Sequence, residues 1–326
     1  MSVIVTGSIA TDYIMSYPGH FREHILFDEV GKLSVSFLVE NKQMHRGGVG
    51  PNIAYSLALL GQRPRLMGAA GGDFCEYATW LEERGVDTSL VRLYTDEFTS
   101  TFTVITDLDQ NQIAGFHAGA MSRARELSFR ELDPRQIEMV IIGANDPAAM
   151  NKYAAECQEL GIPFIYDPSQ QLARLSGEEV LASMRGAAAL AVNDYELEMI
   201  RHKTGLNATD ILSRVGLLAI TRGADGSTLM TSTRRVDVPV ATPEVMQDPT
   251  GGGDAYRAGL IIGLLADYPL EVTGRLAALA ATYVLEHVGT MSHHYTLPEF
   301  VARYRTVFGD TPELNDMLSK NVERSA

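Results

Sequence analysis

Short apolar runs punctuated by glycine divide this chain into a strand-rich first part and a longer stretch in which strands and helices alternate. Val3–Thr6 is an apolar run delivered into Gly7-Ser8, which predicts a buried strand ending in a loop. Leu33–Val39 alternates, with Leu33, Val35, Phe37 and Val39 on one side and Ser34, Ser36 and Leu38 on the other, which predicts a half-buried strand. Thr101–Thr106 and Gln112–Phe116 flank the turn-like Asp107–Asn111 and predict a hairpin. These strands are β-branched and only half apolar, so they suit a small, partly exposed sheet.

Beyond about residue 120 the rhythm changes. Val140–Gly143, Phe164–Tyr166, Leu190–Val192 and Leu218–Thr221 are short apolar strands, with helical segments near Pro147–Leu160, Gly177–Met184 and Tyr195–His202 between them. Strands alternating with helices predict a mostly parallel sheet covered on both faces. Ala255–Ala266 and Leu270–His287 predict two apolar helices whose small residues, among them Gly259, Gly263, Ala277 and Ala281, allow close packing. The expected architecture is one α/β domain over residues 1–326 carrying a small β-sheet lid from about 13–45 and 97–118.

Charge narrows the choice of partner. Lys and Arg total 27 against 41 Asp and Glu, a formal charge of −14, which argues against nucleic acid. The longest apolar stretch, around Ala258–Ala266, is broken by glycine and falls short of the roughly 20 residues a membrane span needs. The N-terminus lacks the pattern of a signal peptide, and two cysteines, Cys75 and Cys157, make no disulfide framework. A cytoplasmic location is expected.

The candidate chemistry concentrates in Asp248-Pro-Thr-Gly-Gly-Gly-Asp254, immediately before a predicted helix. Gly251, Gly252 and Gly253 let backbone N–H groups approach a ligand, and the helix start adds unpaired donors and a positive dipole end. Asp254 at that start is a candidate general base beside an anion site, an arrangement suited to phosphoryl transfer. The same pattern also suits an aspartate capping a helix after a glycine turn. The pair His293-His294 makes a poor metal site, because adjacent residues do not converge.

Asp248-x-Thr-Gly-x-Gly-Asp254 resembles the second signature of the ribokinase-like (PfkB) carbohydrate and nucleoside kinases. Gly47-Gly48-x-x-x-Asn52-x-Ala54-x-x-Leu57-Ala58-x-Leu60-Gly61 resembles the first, in the right order and separation. Gly252 departs from the family, where Ala is more usual. Asn193-Asp194-Tyr195-Glu196 resembles the family's Asn-x-x-Glu element, which implies that Asn193 and Glu196 organise the phosphates and, through water, Mg²⁺. Thr221-Arg222-Gly223-Ala224-Asp225-Gly226 resembles the nucleotide-side loop, so Thr221, Gly223 and Gly226 are implied ATP contacts. Asp248 and Thr250 stand where the family holds a monovalent cation, which implies K⁺.

Further blocks, including Gly7–Asp12, Leu33–Val39, Met44–Gly48, Ile142–Pro147 and Asp167–Glu179, are similar to bacterial adenosine kinases of this family. That resemblance implies phosphorylation of the 5′-hydroxyl of adenosine by ATP. It implies a ribose held by Ser8, Asp12, Gly48 and Asn52, and an adenine stacked on Phe102 and Phe116 beside Met121, Ser36 and Gln171. Another nucleoside, ribose or a hexose is the nearer rival substrate, and a non-catalytic nucleoside-binding regulator the more distant one. A lid with exposed strand edges implies a homodimer formed through it.

Overall fold

The computed structural model describes residues 2–25 and 34–325, with side chains described as far as residue 319. In chain order the strands are β1 (Ser2–Thr6), β2 (Ala10–Ser16), β3 (Asn41–Gly47), β4 (Arg65–Gly71), β5 (Asp87–Tyr94), β6 (Ser100–Thr106), β7 (Gln112–His117), β8 (Ile137–Ile142), β9 (Phe164–Tyr166), β10 (Ala189–Asn193), β11 (Leu217–Thr221), β12 (Ser227–Met230) and β13 (Arg235–Val238). The helices are α1 (Val49–Leu59), α2 (Cys75–Glu82), α3 (Pro147–Leu160), α4 (Gly177–Met184), α5 (Asp194–Thr204), α6 (Ala208–Leu212), α7 (Gly252–Leu265), α8 (Leu270–Leu285), α9 (Leu297–Phe308) and α10 (Pro312–Ser325).

Among the described residues the larger sheet runs β13-β12-β11-β10-β9-β8-β1-β4-β5, parallel from β11 to β5 with an antiparallel hairpin, β12 and β13, on one edge. Its central strands are apolar throughout because both faces are covered. Val3 and Val5 of β1 join the core that contains Ile261 of α7 and Leu276 of α8, whereas Ile4 between them joins the core of Met150 and Tyr153 on α3. The expected close packing of the two C-terminal helices is present: a Cβ on Gly259 of α7 would lie 2.5 Å from Ala277 Cα on α8. This is the mostly parallel sheet between helices that the sequence predicts.

The chain leaves β1 for β4 and β5 on one side and returns to β8 on the other. The C-terminal ends of these parallel strands therefore meet a topological switch beside β1, where open α/β sheets leave a crevice for ligand. Ser8 after β1, Asp167 after β9, Asn193 at the end of β10 and Thr221 at the end of β11 all lie on that edge.

The smaller, lid-like sheet has the order β3-β2-β6-β7. The predicted hairpin is β6 and β7, antiparallel to each other. The strand predicted over Leu33–Val39 does not form in its described part. Residue 33 lies outside the described residues, and 34–39 have no regular structure, although exposure alternates as the sequence suggests. The inward side is used for packing instead of pairing: the Phe37 ring lies 4.8 Å from that of Phe21 and 5.1 Å from that of Tyr17. The strand that pairs with β2 on the side away from β6 is the polar run Asn41–Gly47. Among the described residues no helix is long and apolar enough to cross a membrane.

Candidate active site

The second signature folds into the start of α7. Gly251 caps that helix with φ +86°, and a Cβ there would lie 2.9 Å from the Cβ of Thr290, so both backbone and space call for glycine. A Cβ on Gly252 would sit 3.0 Å from a terminal methyl of Leu285, a contact a flexible side chain can relieve. The alanine usual at this position in the family would thus fit with a small shift. Asp254 follows on the first turn, where the N–H groups lack intrahelical acceptors.

The first signature is brought against it. Gly48 caps α1 with φ +96°, and a Cβ there would lie 2.4 Å from the carbonyl oxygen of Ser8. Ser8 holds this turn, its Oγ accepting from the Val49 N–H at 3.2 Å and its carbonyl from the Gly50 N–H at 3.1 Å. One turn into α1, Asn52 donates from Nδ2 to Asp254 Oδ2 at 2.8 Å across a sequence separation of 202 residues. Burial pushes the Asp254 carboxyl up to about 7, with Asn52 and Arg257 opposing it and Asp167 and Glu196 adding to it. The Oδ1 atom of Asn52 is buried with no protein partner. A buried acceptor of this kind is satisfied by a ligand hydroxyl or by water.

On the lid sheet the register places His45, Asp12, Phe102 and Phe116 directly opposite one another across β3, β2, β6 and β7. These four side chains therefore form one row on one face. Phe116 is half exposed and Phe102 partly buried, so the pair presents apolar ring surface outside the core. Burial pushes Asp12 up to about 6, opposed by His45. A Cβ on Gly47 would lie 2.6 Å from Asp12 Oδ2, so the glycine before Gly48 makes room for this carboxylate.

Asn193 and Glu196 cap α5 reciprocally: Asn193 Oδ1 accepts from the Glu196 N–H at 2.7 Å, and Glu196 Oε2 from the Asn193 N–H at 2.8 Å. Both also line a polar cavity of about 600 Å³ that contains Asp254, Gly251, Gly253 and Thr221. A second cavity of about 420 Å³, mostly apolar, is lined by Gly223, Gly226, Val240, Tyr256, Ala281 and Leu285. Thr221 and Gly253 belong to the walls of both, so the two cavities adjoin.

Sequence reasoning missed Arg257 and the role of Asp167. Arg257 is buried on α7 one turn after Asp254 and meets the fully buried Asp167 through two hydrogen bonds, Nε to Oδ2 at 2.7 Å and Nη2 to Oδ1 at 2.9 Å. Its Nη2 is 4.0 Å from Glu196 Oε2, and it lines the polar cavity. The available signal was a charged residue three positions after Asp254 in an otherwise apolar helix.

The remaining candidates are placed less centrally. Asp248 Oδ1 accepts from the Thr250 N–H at 2.9 Å and Oδ2 from the Gly289 N–H at 3.1 Å. Burial opposes charge on Asp248, but these contacts and nearby His45 outweigh it and hold its carboxyl below the usual range. Thr250 is exposed. Met121 is buried just beyond β7, and Gln171 is buried after β9 with its Oε1 lacking a protein partner. Ser36 is exposed in the 34–39 segment. His293 is fully buried and His294 exposed, so the two histidines do not converge, and burial pushes His293 down to about 3.

The chain matches the pfkB family carbohydrate kinase model over residues 2–296. A nucleoside kinase of Methanothermobacter thermautotrophicus is 28% identical over 316 residues, covering 96% of this chain and 98% of that protein. The structure of Burkholderia thailandensis nucleoside kinase in complex with inosine is 36% identical, covers 95% of this chain and 99% of its own, and superposes with a TM-score of 0.84. Its ADP-inosine complex is 38% identical over 95% of this chain and 97% of that one, with a TM-score of 0.83. Both signatures, folded against each other at Asn52 and Asp254, sit within the matched span: the chain belongs to the pfkB family of carbohydrate kinases.

Proposed function

We propose that this protein is a nucleoside kinase, transferring the γ-phosphoryl group of ATP to the 5′-hydroxyl of adenosine to give AMP and ADP. The observation that carries this reading is the 2.8 Å contact between Asn52 and Asp254, which joins a ribose-side residue to a base at the mouth of an anion-binding helix. In this reading the adenine of ATP lies in the apolar cavity. Its phosphates run past Thr221 and Gly253 to Asp254, and the nucleoside sits under the lid with its base over Phe102 and Phe116. Asp12 and Asn52 hold the ribose hydroxyls, with Ser8 and Gly48 shaping the turn beside them.

As the O5′–phosphorus bond forms and the bond to the ADP oxygen breaks, Asp254 takes the 5′-hydroxyl proton. The N–H groups of Gly251–Asp254 receive the charge on the transferring oxygens. Glu196 on the cavity wall fits Mg²⁺, an ion that keeps most of its waters and needs few protein carboxylates. When bound, Mg²⁺ neutralises the ATP oxygens. The ionised Asp248, with Thr250, fits a K⁺ ion beside the anion loop. The chain acts as one kinase domain whose smaller sheet closes over the nucleoside and excludes water.

Inosine is a second reading, favoured by the inosine complexes of the Burkholderia relative. The unpaired Gln171 Oε1 accepts equally well from the amino group of adenine or the N1–H of hypoxanthine. The test is an ADP-release assay with Mg-ATP on adenosine, inosine, guanosine, ribose and fructose, in potassium and in sodium. Adenosine turnover, faster in potassium, is expected. Turnover of ribose or fructose in preference would overturn the nucleoside reading, and equal rates in both salts would remove the K⁺ site. Because the base must be ionised, kcat/KM should fall as pH drops through about 7, and the nucleoside KM should rise below about 6 as Asp12 protonates.

The lid sheet supports a homodimer formed through it. Every residue of its edge strand β7 is exposed, and Met44 on the opposite edge strand β3 is half exposed. Sedimentation equilibrium should give twice the 35.6 kDa chain mass, and a monomer at micromolar concentration would contradict this.

A further inference from the structure

Arg257 carries an arrangement that the reaction above does not yet use. The Nε and Nη2 edge of its guanidinium is taken by Asp167, which is itself fixed at the end of β9: its N–H donates to the Ile142 carbonyl at 2.9 Å, and its Oδ1 accepts from Ser169 Oγ at 2.7 Å. A planar fork held on two nitrogens has one orientation left. The remaining nitrogen, Nη1, lies under the glycine loop, 2.6 Å from where a Cβ on Gly253 would be. The residue is 6% exposed, so its charge acts in a poorly screened setting.

Three carboxylates surround this one cation: Asp167 from β9, Glu196 from α5 and Asp254 from α7 itself, with neutral Asn52 facing Asp254 from α1. A transferring phosphoryl group adds further negative charge at the same place. Without the guanidinium, the loop would have to receive an anion beside three carboxylates and no buried counter-charge. A buried pair costs desolvation and is weak evidence of a role in stability alone.

From this geometry we infer that Arg257 is a positioning residue for phosphoryl transfer: clamped by Asp167, its guanidinium props the Gly251–Gly253 loop and keeps the Asp254 carboxylate ready to accept the substrate proton. The inference rests on the kinase reading, and its test separates the two. Arg257→Met, Arg257→Lys and Asp167→Asn are assayed for kcat, KM and the pH dependence of kcat/KM. Separately, the Asp254 carboxyl is titrated by ¹³C NMR in ligand-free protein, its signal identified by loss in Asp254→Asn.

Arg257→Met should lower kcat by about 100-fold, with the nucleoside KM within about threefold. The acid limb and the Asp254 titration should both move up by about one pH unit. Arg257→Lys keeps the charge without the fork, so it should restore the limb and only part of kcat. Asp167→Asn should lower kcat as well but move the limb down, because it removes a negative neighbour of Asp254. A purely structural role predicts no such opposite shifts. Folded Arg257→Met with limb and NMR titration unmoved overturns the inference. Should that variant not fold, unchanged kcat in Asp167→Asn does the same. Failure of the nucleoside-kinase reading shows differently, as a wild type that consumes no nucleoside while its Asp254 titration still responds to Arg257→Met.

Discussion

Asp254→Asn is expected to lower kcat by about 10²- to 10⁴-fold while leaving the nucleoside KM nearly unchanged. The carboxamide matches the carboxylate in size and can still accept from Asn52, so the site keeps its shape. What is lost is the atom that takes the 5′-hydroxyl proton, which matters only as the bond to phosphorus forms. The same substitution should raise the melting temperature at pH 8. Burial lifts the Asp254 carboxyl from its ordinary 3.8 to about 7, so between those values the folded chain holds a proton that the unfolded chain has released. Stability therefore falls as pH rises through that window, and the loss stays in full above it. Removing the charge relieves it. A stabilised, inactive variant is the signature of a partly buried catalytic carboxylate, whereas a plain helix cap would lose stability and keep its activity. Steady-state kinetics and thermal denaturation at pH 6 and pH 8 decide between them.

Asp12→Ala should cost about 10²- to 10⁴-fold in kcat/KM for adenosine, mostly through KM. A carboxylate accepting from two ribose hydroxyls makes two charge-assisted hydrogen bonds, each contributing about 1.5–3 kcal/mol. Asp12 sits in the row with Phe102 and Phe116 and has its space cleared by Gly47, so its removal should spare the lid. 2′,3′-Dideoxyadenosine should lose a similar factor against the wild type, and the variant should then barely distinguish the two nucleosides. That non-additivity shows the carboxylate and the diol to be partners. Independent losses that multiply would place Asp12 elsewhere.

Much of this site was legible in the sequence because its parts lie in glycine-rich turns before helices, where spacing dictates geometry. Gly48, Asn52, Gly251 and Asp254 could be read from two short signatures, and the structure brings the signatures together at Asn52 and Asp254. The Phe102–Phe116 pairing followed from a hairpin whose turn fixes the register. Other parts were hidden for physical reasons. Asn41–Gly47 pairs as a strand although it is polar, because a lid exposed on its edge needs no apolar alternation. Leu33–Val39 reads as a strand, yet Phe37 uses the alternation to pack on Tyr17 and Phe21. Arg257 and Asp167 are 90 residues apart, and an ion pair of that span leaves no local pattern. The two Burkholderia thailandensis complexes contain inosine, and the proposal of adenosine rests on the resemblance of local blocks.

The most direct measurement is ³¹P NMR of the products formed from adenosine and ATP by the wild-type protein. A new phosphomonoester coupled to the two 5′ protons, appearing one for one with ADP and absent when 5′-deoxyadenosine replaces adenosine, is the predicted result. ADP formed with inorganic phosphate and no nucleoside monophosphate, or an ester on another hydroxyl, would contradict the assignment of Asp254 as the base for a 5′-hydroxyl.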